Sequence, residues 1–120
     1  MASANLLHDL AQFTGTETWH RHWLQRNLLY TDGVRFFEQN AGGGAGWFID
    51  IVATEIFGLL AKEGFLCISI KVVGNTPSIT VDDGNDNILF ERSNIEYTDC
   101  PEGIWKFYLT DNVLLLPSEY

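Results

Sequence analysis

Five consecutive positions, Trp19-His20-Arg21-His22-Trp23, hold two of the three histidines and two of the four tryptophans of this 120-residue chain. In an extended backbone His20 and His22 point to the same side, and two imidazoles so placed bind a metal ion once a third ligand is supplied. His8, Asp32 and Asp50 are the candidates for that ligand, while Glu17, Asp32 or Asp50 would support a histidine acting as general base. Trp19, Arg21 and Trp23 then share the other side, where a guanidinium stacks on indole. The simpler reading puts both tryptophans in the core and leaves the histidines on the surface, because a cofactor site usually declares more ligands than two. On that reading no metal and no cofactor is expected, and His20 with His22 is the ligand pair of the alternative.

Asp32 follows Tyr30-Thr31 and precedes Gly33, the pattern of a helix cap. Asp50 stands three residues after Trp47 inside an apolar helical pattern. Buried, it would need a partner or a shifted pKa; on a wet stripe with Thr54 it is an ordinary surface carboxylate, which is the preferred reading. The candidate binding residues are therefore Glu17, Trp19, His20, His22, Trp23, Asp32 and Asp50, with no catalytic residue assigned. Asp82-Asp83-Gly84-Asn85-Asp86-Asn87 is rich in oxygen ligands, but its glycine comes too early for a calcium loop and no glutamate closes it, so it reads as a hairpin turn. Gly42-Gly43-Gly44-Ala45-Gly46 lacks the Lys-Ser/Thr pair of a phosphate loop and reads as a link between helices. Cys67 and Cys100 fit neither a zinc knuckle nor a redox pair and are expected as buried free thiols.

The elements that must position these residues are set by periodicity. Leu6, Leu7, Leu10 and Phe13 recur at helical spacing behind Ser3, predicting a helix over residues 4–12. Thr18 to Leu24 and Leu28 to Tyr30 are β-prone, and Thr31-Asp32-Gly33 launches a short helix over residues 34–39. From Trp47 to Lys62, Asp50, Thr54, Gly58 and Lys62 fall every fourth position while Phe48, Ile49, Val52, Ile56, Leu59 and Leu60 cover the opposite side, predicting one mostly buried helix. Leu66, Ile68, Ile70 and Val72 then alternate with Cys67, Ser69 and Lys71, and turns at residues 74–77, 82–87, 101–103 and 111–112 separate four further strand-like runs, including Ile88 to Arg92 with Ile95 to Tyr97 as a continuation or a bulged second piece. Connections this short favour an antiparallel meander. The expected architecture is α+β: N-terminal helices followed by a four- to five-stranded antiparallel sheet packed on the Trp47–Lys62 helix, in a single domain over residues 1–120.

Composition narrows the function classes. The formal charge is −9, and residues 82–120 hold nine acidic residues against Arg92 and Lys106. A field of that sign repels phosphate backbones and anionic lipid, so direct nucleic-acid binding is not expected. Asp50, Glu55 and Lys62 break the apolar stretch that a membrane span would need, and no secretory or transit pattern opens the chain, so a cytoplasmic location without membrane contact is expected.

Five blocks, Leu10-Ala11-Gln12-Phe13-Thr14-Gly15-Thr16-Glu17, Leu28-Leu29-Tyr30-Thr31-Asp32-Gly33-Val34, Asp82-Asp83-Gly84-Asn85, Ile95-Glu96-Tyr97-Thr98-Asp99 and Leu116-Pro117-Ser118-Glu119-Tyr120, occur in this order along nearly the whole chain. Together they resemble a family of small bacterial, plasmid- and phage-associated proteins known as a domain of unknown function. The resemblance brings no catalytic residue, cofactor or partner. Cys100, where an aromatic residue is usual, and the glycine stretch before Trp47 depart from the pattern. The blocks suggest that residues 14–22, residues 30–33 and a docked polar tail at residues 118–120 meet in space.

The leading functional expectation is a non-enzymatic protein-interaction module, an accessory factor of a mobile element in the form the resemblance implies, which binds a protein partner or self-associates as a homodimer. The alternative is a small metal-binding or hydrolase-like protein using His20 and His22.

Overall fold

Hydrophobic alternation builds a sheet whose inner face is almost entirely aliphatic and aromatic. The computed structural model describes residues 2–14, 18–42, 44–85, 87–93, 95, 98 and 100–120. Helix α1 (Ala2–Ala11) opens the chain, two short strands β1 (His20–Arg21) and β2 (Leu29–Tyr30) come after it, and α2 (Asp32–Asn40) is next. The run from Gly46 to Glu63 is helical throughout but not uniform: α3 (Gly46–Ile51), a π segment (Val52–Ile56), a 3-10 turn (Phe57–Leu59) and α4 (Leu60–Glu63). A widened turn and then a tightened one let the predicted stripe survive, with Asp50, Thr54, Gly58 and Lys62 exposed and Phe48, Ile49, Val52, Ile56 and Leu60 buried. The expected single α-helix is corrected in this respect only.

Strands β3 (Phe65–Val73), β4 (Thr76–Asp82) and β5 (Ile88–Arg92) form an antiparallel meander. The next strand, β6 (Gly103–Thr110), pairs with the other side of β3, and β7 (Val113–Leu115) pairs with β6. Ile95 lies outside any strand, and the expected continuation at Glu96 and Tyr97 falls outside the described residues. The sheet order is β1-β2-β7-β6-β3-β4-β5. Two expectations are corrected here. The sheet has seven strands, since the short β1 and β2 join its edge, and it is mixed, because β2 runs parallel to β7 with Leu29 opposite Val113 and Tyr30 opposite Leu114. The α+β class itself holds.

Leu66, Ile68, Ile70, Val72, Ile79, Val81, Trp105, Phe107, Leu109 and Leu114 are buried along the inner face. The two helices laid on it meet the sheet through aromatic contacts: Phe107 of β6 lies 4.9 Å from Phe37 of α2 and 4.7 Å from Phe48 of α3, ring centre to ring centre. Rings at these distances add an orientation-dependent attraction to the area they bury, so they fix the depth at which both helices sit. The outer face carries Ser69, Lys71, Ser78, Thr80 and Lys106, of which the two lysines are exposed and the others half-buried. The turn between β6 and β7 places both Asp111 (φ 53°) and Asn112 (φ 64°) in the left-handed region, the geometry of a type I′ hairpin. Cys100 is buried and Cys67 is half-buried on the outer face, neither in a disulfide; burial, then the charge of Asp82, pushes the Cys67 thiol up.

Candidate functional site

The β-prone block around the histidines contributes only two residues to a strand, His20 opposite Tyr30 and Arg21 opposite Leu29. Beyond Arg21 the chain bends into a tight loop, closed by the amide of His22 donating to the Leu28 carbonyl at 3.0 Å. Inside the loop the His22 ring acts as backbone: its Nδ1 accepts from the amides of Leu24 at 3.1 Å and Gln25 at 3.0 Å. A nitrogen that accepts two N–H groups carries no proton, so geometry assigns the proton to Nε2, which donates to Asp50 Oδ1 at 2.8 Å. The indole of Trp23 donates to the same oxygen at 3.2 Å, and the Arg21 guanidinium donates to the Arg26 carbonyl.

This arrangement inverts the simpler sequence reading. His22 is 2% exposed and is a core residue, whereas Trp19 and Trp23 are 53% and 70% exposed, with Leu24 beside them at 57%. The sequence signal that was legible is the type of the residues; which of them face inward is decided by Asp50, which reaches across from α3 to take the imidazole. Asp50 is itself exposed on the wet stripe, so it serves both as surface carboxylate and as the anchor of the loop.

His20 is held by a different carboxylate. Its Nε2 lies 3.0 Å from Asp32 Oδ1, and Nη1 of Arg35 faces its Nδ1 at 3.4 Å. Since a guanidinium only donates, Nδ1 accepts and the proton is again on Nε2. The helix cap expected of Asp32 is supplied by Thr31, whose hydroxyl oxygen accepts from the Val34 amide at 3.3 Å; Asp32 is the first helical residue. Tyr30 lies 5.6 Å from the His20 ring. Glu38 lies further along α2: burial foremost raises its carboxyl above the ordinary 4.5, the Arg35 guanidinium opposes this and the charge of Asp50 adds to it. Burial, then Glu38, likewise raises the Tyr30 hydroxyl. Arg35 and Glu38 were not singled out from the sequence; the signal available was their spacing of three along the helix after the Thr31 cap, whereas Tyr30 entered only as part of the residues 30–33 block.

Residues 116–120 clasp the start of α2. Glu119 Oε1 accepts from the Thr31 hydroxyl at 2.6 Å and from the Leu116 amide at 2.9 Å, while Oε2 accepts from the Gly33 amide at 3.2 Å. A carboxylate at the first turn of a helix meets unpaired amides and the positive end of the helix dipole. Tyr120 packs edge-on against Phe65 and Tyr108, with ring centres 5.7 Å and 5.3 Å away. A groove of ≈ 310 Å³ between the tail and β7 is lined by Thr31, Glu119 and Tyr120 and is walled on one side by Trp19. The docked tail suggested by the sequence blocks is thus present, and it meets the Tyr30 to Gly33 block directly.

Of the candidate residues, His20 pairs with Asp32, His22 and Trp23 share Asp50, and Trp19 lines the groove beside the tail. Glu17 lies outside the described residues. No group of three or more His, Cys, Asp or Glu side chains among the described residues is arranged to hold a metal ion. His20 and His22 face different carboxylates, and both nitrogens of His22 are engaged. Among the described residues Asp82 and Asp83 turn inward on their own loop, accepting from the amides of Gly84 at 2.7 Å and Asn85 at 2.8 Å.

The chain matches the profile of a family of unknown function (DUF6876) over residues 4–120 and belongs to that family. No curated protein and no solved structure matches it. No helix among the described residues is long and apolar enough to cross a membrane.

Proposed function

We propose that this member of a family of unknown function is a non-enzymatic protein-interaction module of the cytoplasm that presents the ridge Trp19, Trp23 and Leu24 to a protein partner. The observation that carries the reading is exposure on a tethered loop: Trp23 and Leu24 are 70% and 57% exposed on the loop that His22 and Trp23 tie to Asp50, and Trp19, just before β1, is 53% exposed. Exposed large apolar side chains mark contact surfaces, Trp and Arg dominate interface hot spots, and a loop fixed before binding loses little entropy on binding. Arg21 and Arg26 lie exposed on the same loop. An accessory role in a mobile element, as the sequence resemblance implies, is a role of this kind.

The test is a photo-crosslinking residue placed at position 23, with position 62 on the wet stripe as control, in the source cell. A discrete protein adduct at 23 and none at 62 is the expected result; no adduct at 23, or equal labelling at both, sinks the proposal.

The alternative reading, a metal-binding or hydrolase-like protein using His20 and His22, draws on the half-exposed His20–Asp32 pair. It requires stoichiometric metal in the protein purified without chelator, lost in His20→Ala. His22→Ala is the wrong variant for that test, because it removes a loop anchor.

A further inference from the structure

Strand β6 is longer than the strand beside it. Over Gly103 to Thr110 it pairs with β3, but β7 covers only Tyr108, Leu109 and Thr110. In an antiparallel ladder, successive residues direct their N–H and C=O groups alternately to one neighbour and then the other. The tight turn at Asp111 and Asn112 makes Thr110 and Val113 a hydrogen-bonded pair, so Tyr108 also points to β7, and Lys106 and Ile104 point the same way. Among the described residues no backbone group hydrogen-bonds to them there. Continuing the register places Pro117 opposite Lys106, and proline has no N–H to give. The chain instead leaves the sheet at Leu116 and turns through Pro117–Glu119 to deliver Glu119 to α2.

The vacated edge is not bare. A groove of ≈ 250 Å³ runs along it, walled by Leu10 and Ala11 at the end of α1, by Leu116, Pro117 and Ser118, and by β6 itself. Ile104 is 56% exposed at its rim. On the outer face Lys106 and Lys71 are diagonal neighbours, because Ile104 faces Lys71 and Lys106 faces Ser69 across the β3·β6 ladder. Two lysines side by side are a local positive patch on a chain of net charge −9. The outer edge at β5 differs: it carries Glu91 and Arg92, with Arg92 paired to Glu55, the charged protection typical of an edge that is not used.

We infer that the open segment of β6 binds an extended segment of a partner protein as an added strand, in line with β7 and antiparallel to β6. The unpaired groups of Ile104 and Lys106 call for a peptide backbone, the groove for aliphatic side chains on the inner side, and Lys71 with Lys106 for acidic side chains on the outer side. The occupant is therefore an extended segment in which aliphatic and acidic residues alternate. The site is separate from the Trp19–Leu24 ridge and stands or falls independently of it.

The probe is an acetylated, amidated hexapeptide of alternating glutamate and valine, titrated into the full chain and monitored by amide hydrogen exchange and NMR shifts. Binding with Kd below about 1 mM, with exchange at Ile104 and Lys106 slowed about tenfold or more, is the expected result. The same peptide N-methylated on alternate residues, and a lysine–valine counterpart, should bind at least about tenfold more weakly. Lys106→Pro removes a donor that β3 does not use, so it should abolish binding while leaving the fold intact. Absence of binding, binding that N-methylation leaves unchanged, or protection confined to β5 overturns the inference. Protection of Ile104 and Lys106 that appears without peptide and grows with protein concentration assigns the edge to a second copy and overturns it too.

Discussion

The carboxylate of Glu119 occupies the space that a side chain on residue 33 would need: a methyl group added to Gly33 would lie 2.8 Å from Glu119 Oε1 and 2.5 Å from Leu116 Cδ1. Gly33 is therefore required by the approach of two side chains and not by a turn, since it sits within the first turn of α2. Gly33→Ala should destabilise the chain by about 1–3 kcal/mol despite the better helix propensity of alanine. In a Glu119→Ala background the same change should cost less, with a coupling above about 1 kcal/mol in urea denaturation. Additive effects would falsify the clasp.

His22 and His20 should separate sharply. His22→Ala removes a buried ring with three hydrogen bonds and should cost about 2–4 kcal/mol, with faster exchange at the Leu24 and Gln25 amides. His20→Ala breaks a half-exposed pair and should cost less than about 1 kcal/mol. Equal losses in thermal or urea melts would show that the ring of His22 does not anchor the loop.

Glu38 gives stability a pH dependence of known sign. Its carboxyl titrates above the ordinary 4.5 in the folded chain, chiefly because of burial, so the folded state holds the proton to higher pH than the unfolded state does. Stability from this group is then lost as pH rises from 4.5 through the raised value, and the ionised form remains a penalty at neutral pH. Glu38→Gln should raise the denaturation midpoint at pH 7, and the gain should vanish as pH falls below 4.5. A gain that persists in acid would assign the effect to packing.

At Asn112, with φ of 64°, a non-glycine residue sits in the left-handed region. Asn112→Gly should stabilise the β6–β7 hairpin by about 0.5–1 kcal/mol, because the type I′ turn keeps its shape and loses its steric cost. The backbone carbonyl that accepts from Leu29 at 2.9 Å is retained. An unchanged or lowered melting temperature would count against that turn geometry.

The β3 and β6 alternation and the wet stripe of Asp50, Thr54, Gly58 and Lys62 were legible because periodicity alone decides which side is buried. The parallel pairing of Leu29 with Val113 was not, since two-residue strands carry no period and their partner lies on the far side of the chain. The inward turn of His22 was hidden for a related reason. An imidazole that substitutes for backbone acceptors looks, in sequence, like any other histidine, and only Asp50 arriving from a separate helix reveals it. The terminal block, by contrast, was readable as a docked element meeting residues 30–33, although the bonds that hold it were not: that Glu119 fills the space beside Gly33 is recognisable only once the two are seen as a pair.

The clasp also orders events in time. The first turn of α2 takes its Gly33 hydrogen bond from a residue 86 positions away, and β2 meets β7 across a comparably long loop. Closing such loops is slow relative to forming a hairpin such as β3–β4. During folding α2 must wait, under-capped, while the β3, β4 and β6 ladder assembles. The same contact should be the first lost on unfolding, so the amide of Gly33 should exchange with solvent sooner than those of the β3 core and report the opening of the tail before the sheet gives way.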